Sequence, residues 1–175
     1  MVQDSALSAH GRVLSVNVSP GGVPKLPLDS AWVGRLGLDA DAHNEPEPVH
    51  GGPDQAVSLY SVEAIARVAA DGHQAFPGAY GENLTIEGIH WARLRAGDRL
   101  EIGDHGLSIE LTDMAGPCQT IAHWFIEGRI ARISPKVRPE DARWYARVLA
   151  EGRVAPGDRV AIERADRVEV AAREF

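Results

Sequence analysis

Period-two alternation recurs along this chain. Leu14, Val16 and Val18 alternate with polar neighbours over 12–18, and the run stops at Ser19-Pro20-Gly21-Gly22. Such alternation predicts a half-buried strand closed by a turn. The same pattern predicts strands over 31–33, over 55–60 with Val57 and Leu59 on one face, over 83–86, and over 106–111. Ala96-Gly97-Asp98-Arg99-Leu100-Glu101-Ile102 and Pro156-Gly157-Asp158-Arg159-Val160-Ala161-Ile162 repeat one design, a turn feeding an alternating strand. Their Gly-Asp pairs are read as turn formers, because both residues tolerate tight backbone geometry.

Helical spacing is rarer. Ser61 stands as a cap before Val62, Ile65, Ala66 and Ala69 on one side, with Glu63 in the first turn and Gly72 at the end. A second helix is predicted over 139–151, with Pro139 at its start, Tyr145, Val148 and Leu149 facing inward, and Gly152 beyond it. Ile121, Trp124 and Phe125 predict a short helix after Cys118. Many short strands with few helices predict a mainly β fold, a closed or near-closed β-barrel with peripheral helices. The loops at 39–54 and 77–83 and the turn at 116–118 are expected to meet at one mouth.

Composition adds limits. The chain has 175 residues and a net charge of −7, from 18 basic and 25 acidic side chains. That balance, without a dense Lys/Arg run, argues against nucleic acid or an anionic membrane as partner. No apolar run is long enough to span a bilayer, and the N-terminal residues lack the basic and apolar regions of a signal peptide. The single cysteine gives no disulfide framework. A cytoplasmic protein is expected.

Cys118 is the first candidate for chemistry. Gly116-Pro117 separates a predicted strand from a predicted helix, and a thiol at a helix N-terminus is favoured as thiolate. That suits a nucleophile or a soft-metal ligand; a buried, inert thiol is the alternative. The run Asp39, Asp41, His43, Glu45, Glu47 and His50 carries metal-binding side chains, but without the tighter zinc spacings it reads equally as a solvated loop. A thiol hydrolase pairing Cys118 with His123 or His50 is a further possibility, with poor spacing for His123.

Several motifs occur in one order: Gly37-Leu38-Asp39-Ala40-Asp41-Ala42-His43, Val49-His50-Gly51-Gly52-Pro53-Asp54-Gln55, Gly78-Ala79-Tyr80-Gly81-Glu82-Asn83-Leu84-Thr85, Gly97-Asp98 and Pro117-Cys118. Together they resemble the MOSC domain, the C-terminal domain of molybdenum-cofactor sulfurases, which also occurs alone. The resemblance covers about residues 11–163, leaving 1–10 as a flexible N-terminus and 164–175 as a tail.

It implies a β-barrel of MOSC type that binds molybdenum cofactor (molybdopterin), with Cys118 matching the cysteine that ligates molybdenum in relatives that reduce N-hydroxylated compounds. Asn83 matches an asparagine beside the cofactor, and His50, Gly51, Gly52 and Asp54 match a site-forming motif. Thr85 and Thr112 are candidates for hydrogen bonds to pterin or phosphate. The implied reaction is a two-electron N–O reduction of a small-molecule substrate. With one cysteine the chain carries no iron–sulfur set, so an external electron donor is expected. The alternative is a sulfur-carrier or cofactor-delivery module with a persulfide on Cys118, served by a sulfur donor protein. Two departures stand out. Relatives commonly carry an Arg shortly before the Pro-Cys, where Ala115 and Gly116 stand here, and the second Gly of the Gly-x-x-Gly-Asp stretch is Ala40.

Overall fold

The computed structural model describes residues 10–42 and 51–165. Eleven strands occur among them: β1 (His10–Val18), β2 (Leu26–Leu28), β3 (Ala31–Gly34), β4 (Gly37–Leu38), β5 (Val57–Ser61), β6 (Leu84–Glu87), β7 (Arg99–Ile102), β8 (Leu107–Ala115), β9 (Arg143–Ala150), β10 (Gly152–Val154) and β11 (Arg159–Glu163). Seven of them run in the order β11-β7-β8-β9-β5-β6-β1, and β1 pairs with β11 to close the barrel. β2 adds to β1 outside the ring, and β10, β3 and β4 form a small separate sheet. Closure leaves the barrel wall without a free edge.

Every barrel pairing is antiparallel except β5–β6. A parallel pair needs a crossover, and α1 (Val62–Ala70) provides it. The capping signals for α1 operate, but its buried face is Ala64, Ile65 and Val68, with Ala66 and Ala69 exposed, because packing against β5 rather than helical spacing alone sets the inward side. Ser61 Oγ accepts from the Ala64 N–H at 3.2 Å, Glu63 stands in the first turn, and Gly72 leaves the helix at φ 91°. The Gly-Asp repeats also behave alike. Asp98 accepts from the Arg95 N–H at 3.0 Å and Asp158 from the Ala155 N–H at 2.9 Å, each closing a turn before β7 or β11. Those two strands then pair with each other.

Two expectations need correcting. Residues 139–151 are not a helix: a 3-10 turn at Pro139–Asp141 leads into β9, an eight-residue strand. The segment carries both periods, but Trp144, Ala146 and Val148 are buried at strand spacing, and β8 and β5 pair with it on either side. Tertiary pairing decides where local spacing does not. After Cys118 the chain likewise forms no α-helix, but 3-10 turns at Gln119–Trp124, Ile126–Gly128 and Ile130–Ile133. The helix terminus expected to act on the thiol is therefore not built.

β1 shows a finer shift. Between Val13 and Ser15 its register against β6 slips, so Val13 and Val16 point inward and Leu14 is exposed. One extra residue in a bulge changes which side chains face the core.

The barrel is filled by residues such as Val57, Leu59, Leu84, Ile109 and Val160, none with any exposed surface. A second apolar cluster lies outside the wall, where Tyr60, Ile65, Val68, Tyr80, Ile121, Phe125 and Ile133 pack together. It fixes α1 and the 3-10 turns against β5. Asp141, buried in the strap before β9, accepts from Arg67 Nε at 2.7 Å and Arg132 Nη1 at 2.6 Å, and its carbonyl accepts from the Tyr60 hydroxyl. No described helix is long and apolar enough to cross a membrane.

Candidate functional site

A cleft of about 770 Å³, open mouth included, lies where irregular segments meet the end of the barrel. The loop after β1 contributes Gly22, Val23 and Lys25, the loop before β6 contributes Tyr80, Gly81 and Asn83, and the turn after β8 contributes Cys118, Thr120 and Ile121. Gly51, Gln55, Ser58, Arg143 and Tyr145 complete the wall with Ala42. Of the loops expected to converge, 77–83 and 116–118 do so, and 39–54 takes part through Ala42 and Gly51. The loop at 19–25 and strand β9 were not foreseen.

The loops are tied together by buried polar groups. Lys25 N–H donates to the Gly78 carbonyl at 2.9 Å. Gly78 sits at φ 86°, and a Cβ there would fall 2.1 Å from the Lys25 carbonyl oxygen, so only glycine permits this approach. The Lys25 ammonium pairs with Asp41, both side chains buried. Asp41 also accepts from the Ser19 N–H at 3.0 Å and from Asn83 Nδ2 at 2.8 Å. The Asn83 amide is used throughout: Nδ2 also donates to the Asn17 carbonyl, and Oδ1 accepts from the Ser58 N–H and hydroxyl. One side chain thereby joins β1, β5 and the 39–42 turn.

Glu82 points the other way, fully buried. Its Oε1 accepts from the Gly78 N–H at 2.7 Å and from Thr85 Oγ1 at 3.2 Å, while Oε2 has no partner among the described residues. Burial pushes this carboxyl above the ordinary glutamate range, against the lowering effect of the Gly78 N–H and the Arg143 charge.

Around the sulfur the surroundings are mixed. Cys118 is half-buried, and its Sγ touches Thr120 Oγ1. Burial holds the Tyr145 phenol above the usual tyrosine range, with Arg143 opposing that shift and Cys118 adding to it, so Tyr145 lines the cleft as a neutral phenol. Arg143 is buried, its Nη1 donating to the Tyr80 carbonyl and its Nη2 to the Gly116 carbonyl at 3.2 Å. Its Nε, and Oε1 of Gln55, are buried without a partner among the described residues.

Cys118, Asn83 and Gly51 thus line one cleft. Gly52, Asp54, Thr85 and Thr112 are not among its lining residues. Gly52 accepts the Gln55 N–H that closes a 3-10 turn. Asp54 is exposed near Arg147 at 3.4 Å, and its carbonyl accepts from Thr112 Oγ1 at 2.6 Å. Thr85 is buried, donating to Glu82 and accepting from Asn17 Nδ2. His50 lies outside the described residues, as do His43, Glu45 and Glu47 of the proposed metal loop. Among the described residues no three His, Cys, Asp or Glu side chains converge as metal ligands. His123 is exposed and packs on Trp124, 4.4 Å between ring centres, away from the cleft lining. Arg143 and Lys25 are the residues missed. Arg143 was hidden by the helical assignment, and Lys25 sits in a Pro/Gly loop with no periodicity to mark it.

The family model for the MOSC domain matches residues 46–161. Protein YiiM of Escherichia coli (strain K12) is 28% identical over 141 residues, covering 78% of this chain and 61% of that protein. Uncharacterized protein YflK of Bacillus subtilis (strain 168) is 30% identical over 116 residues, covering 62% of this chain and 48% of its own length. The chain therefore spans about half to three-fifths of the curated relatives it matches. Among solved structures, the YUAD protein from Bacillus subtilis superposes with a TM-score of 0.74 at 14% identity, covering 90% of this chain and 97% of that one. YiiM from Geobacillus stearothermophilus superposes with a TM-score of 0.67 at 23% identity, covering 88% and 75%. At these identities the likeness establishes the fold.

Proposed function

The chain belongs to the MOSC domain family, and from that membership we propose that its cleft binds molybdenum cofactor, with Cys118 as the molybdenum ligand, in a protein that reduces N-hydroxylated compounds. One observation carries the proposal: the chain's one cysteine lines a cleft whose wall also includes Arg143 and Gln55, each with a buried polar atom that has no partner among the described residues. A thiolate is a soft donor suited to a metal already bound by dithiolene sulfur. A buried guanidinium N–H suits an oxyanion, and a buried amide end suits the polar edge of a pterin. The donor set fits the group.

When bound, the cofactor supplies two-electron removal of oxygen from an N–O bond, and this chain supplies its setting. Cys118 is the ligand and Thr120 orients its sulfur. Tyr145 offers a neutral hydroxyl to the reacting side. Asn83 positions the wall, since its amide is already committed to Asn17, Asp41 and Ser58. Gly51, with His50 and Gly52 beside it in sequence, forms the adjoining lip. Asp54 and Thr112 pin that lip to β8, and Thr85 braces Glu82 behind the 78–83 loop. Electrons enter from an external donor.

Turnover tests the proposal. Protein from a cofactor-producing host, supplied with an artificial reductant and an N-hydroxylated nucleobase, is expected to form the amine. No turnover, no bound pterin and a labile +32 Da adduct on Cys118, of roughly the mass of one sulfur atom carried as a persulfide, would replace it with the sulfur-carrier function.

A further inference from the structure

β9 opens opposite Ala115 in the β8–β9 ladder, and the residue facing Ala115 is Arg143. The residue is buried, 6% exposed. The described polar contacts of its guanidinium, to the Tyr80 and Gly116 carbonyls, are to neutral acceptors. Those contacts fix the plane of the group on the cleft wall, and its buried Nε–H has no partner among the described residues. Lys25, the other buried cation of the cleft, is matched by Asp41. Glu82 is the nearby acid; its Oε1 accepts from Gly78 and Thr85, and neither of its oxygens bonds Arg143.

A buried charge held only by carbonyls is costly until a counter-charge arrives, and a fixed guanidinium is shaped for an oxyanion. We infer that Arg143 is the anion anchor of the cleft, taking a phosphate-type oxyanion with its guanidinium, so that a positive charge missing from β8 at 115 stands across the ladder on β9. The inference takes the cofactor proposal as its setting, and the oxyanion is either the phosphate tail of a bound cofactor or a phosphate on the substrate.

Inorganic phosphate titrated into cofactor-free protein tests it, read by the Arg143 ¹⁵Nε–Hε NMR signal and by calorimetry. The Arg143 signal is expected to shift with saturation, Arg143→Gln to weaken binding by about tenfold or more, and Arg143→Lys to weaken it less. Arg99→Gln, on the barrel wall beside Glu110, should bind as the wild type does. Should Arg143→Gln fail to fold, the wild-type signal and the lysine variant still decide. Phosphate binding that leaves the Arg143 signal unmoved, or an absence of binding, overturns the inference. Cofactor-loaded protein identifies the source: loss of phosphate binding points to the cofactor tail, and retained binding to a substrate phosphate. Protein that retains no molybdenum yet binds phosphate through Arg143 removes the cofactor proposal and leaves this one standing. Protein that holds molybdenum without Arg143-dependent binding does the reverse.

Discussion

Inside the barrel, Val57, Leu59, Leu84 and Ile109 are wholly buried among apolar neighbours; at its mouth, Arg143 and Gln55 keep buried polar atoms without partners among the described residues. The first region is apolar apart from the Trp144 indole N–H, which has no partner among the described residues, and apolar burial needs no further company. The second is a polar surface arranged before a ligand is present. Native interiors rarely leave such atoms unpaired, and two of them, Arg143 Nε and Gln55 Oε1, belong to residues of the cleft wall, which marks a place where binding as well as folding sets the side-chain choice. The closed strand ring permits this by carrying most of the fold's cohesion elsewhere.

Substitutions on the two sides should separate. Leu59→Ala, deep in the ring, is expected to lower unfolding free energy by about 2–5 kcal/mol in urea melts. A loss below about 1 kcal/mol would mean the interior can collapse around the gap. Asn83→Ala, at the junction of the two regions, removes the partner of Ser58, Asn17 and Asp41. It is expected to cost about 1–3 kcal/mol, and near-wild-type stability would show that the knot is not structural.

How far these regions could be read from sequence follows the same division. Alternation and turn residues revealed most of the ring, because strands covered on one face repeat every second residue. It failed at β9, where Tyr145, Val148 and Leu149 satisfy a helical spacing while Trp144, Ala146 and Val148 satisfy a strand; only pairing with β5 and β8 selects between them. The bulge at Leu14 escaped for a similar reason, since one residue's slip is set by the partner strand. At the mouth, Cys118 and Asn83 were visible through their motifs. Lys25 and Arg143 were not, because their nearness to Cys118 comes from chain segments far apart in sequence.

Smaller effects sharpen the contrast. The folded state binds a proton at Glu82 more tightly than the unfolded chain does, because burial raises its carboxyl. Its contribution is therefore fully present below about pH 4.3 and is lost as pH rises toward the folded value. Glu82→Gln should flatten that decline in melts taken from about pH 4 to 8, and unchanged slopes would place the proton elsewhere. Ala40 adopts φ 66°, a left-handed conformation that disfavours a Cβ. Ala40→Gly is expected to raise stability by up to about 1 kcal/mol, once the entropy of the unfolded glycine is set against the relieved strain. A loss of stability would show that the turn does not feel its side chain.

Molybdenum occupancy gives the most direct test of Cys118 as the point where the cleft holds its cofactor. Wild type and Cys118→Ser, purified from a cofactor-producing host, would be compared by elemental analysis and pterin fluorescence. The account predicts molybdenum with pterin in the wild type and none in a Cys118→Ser variant whose unfolding free energy stays within about 0.5 kcal/mol. Full occupancy in the variant, or none in the wild type, would contradict it.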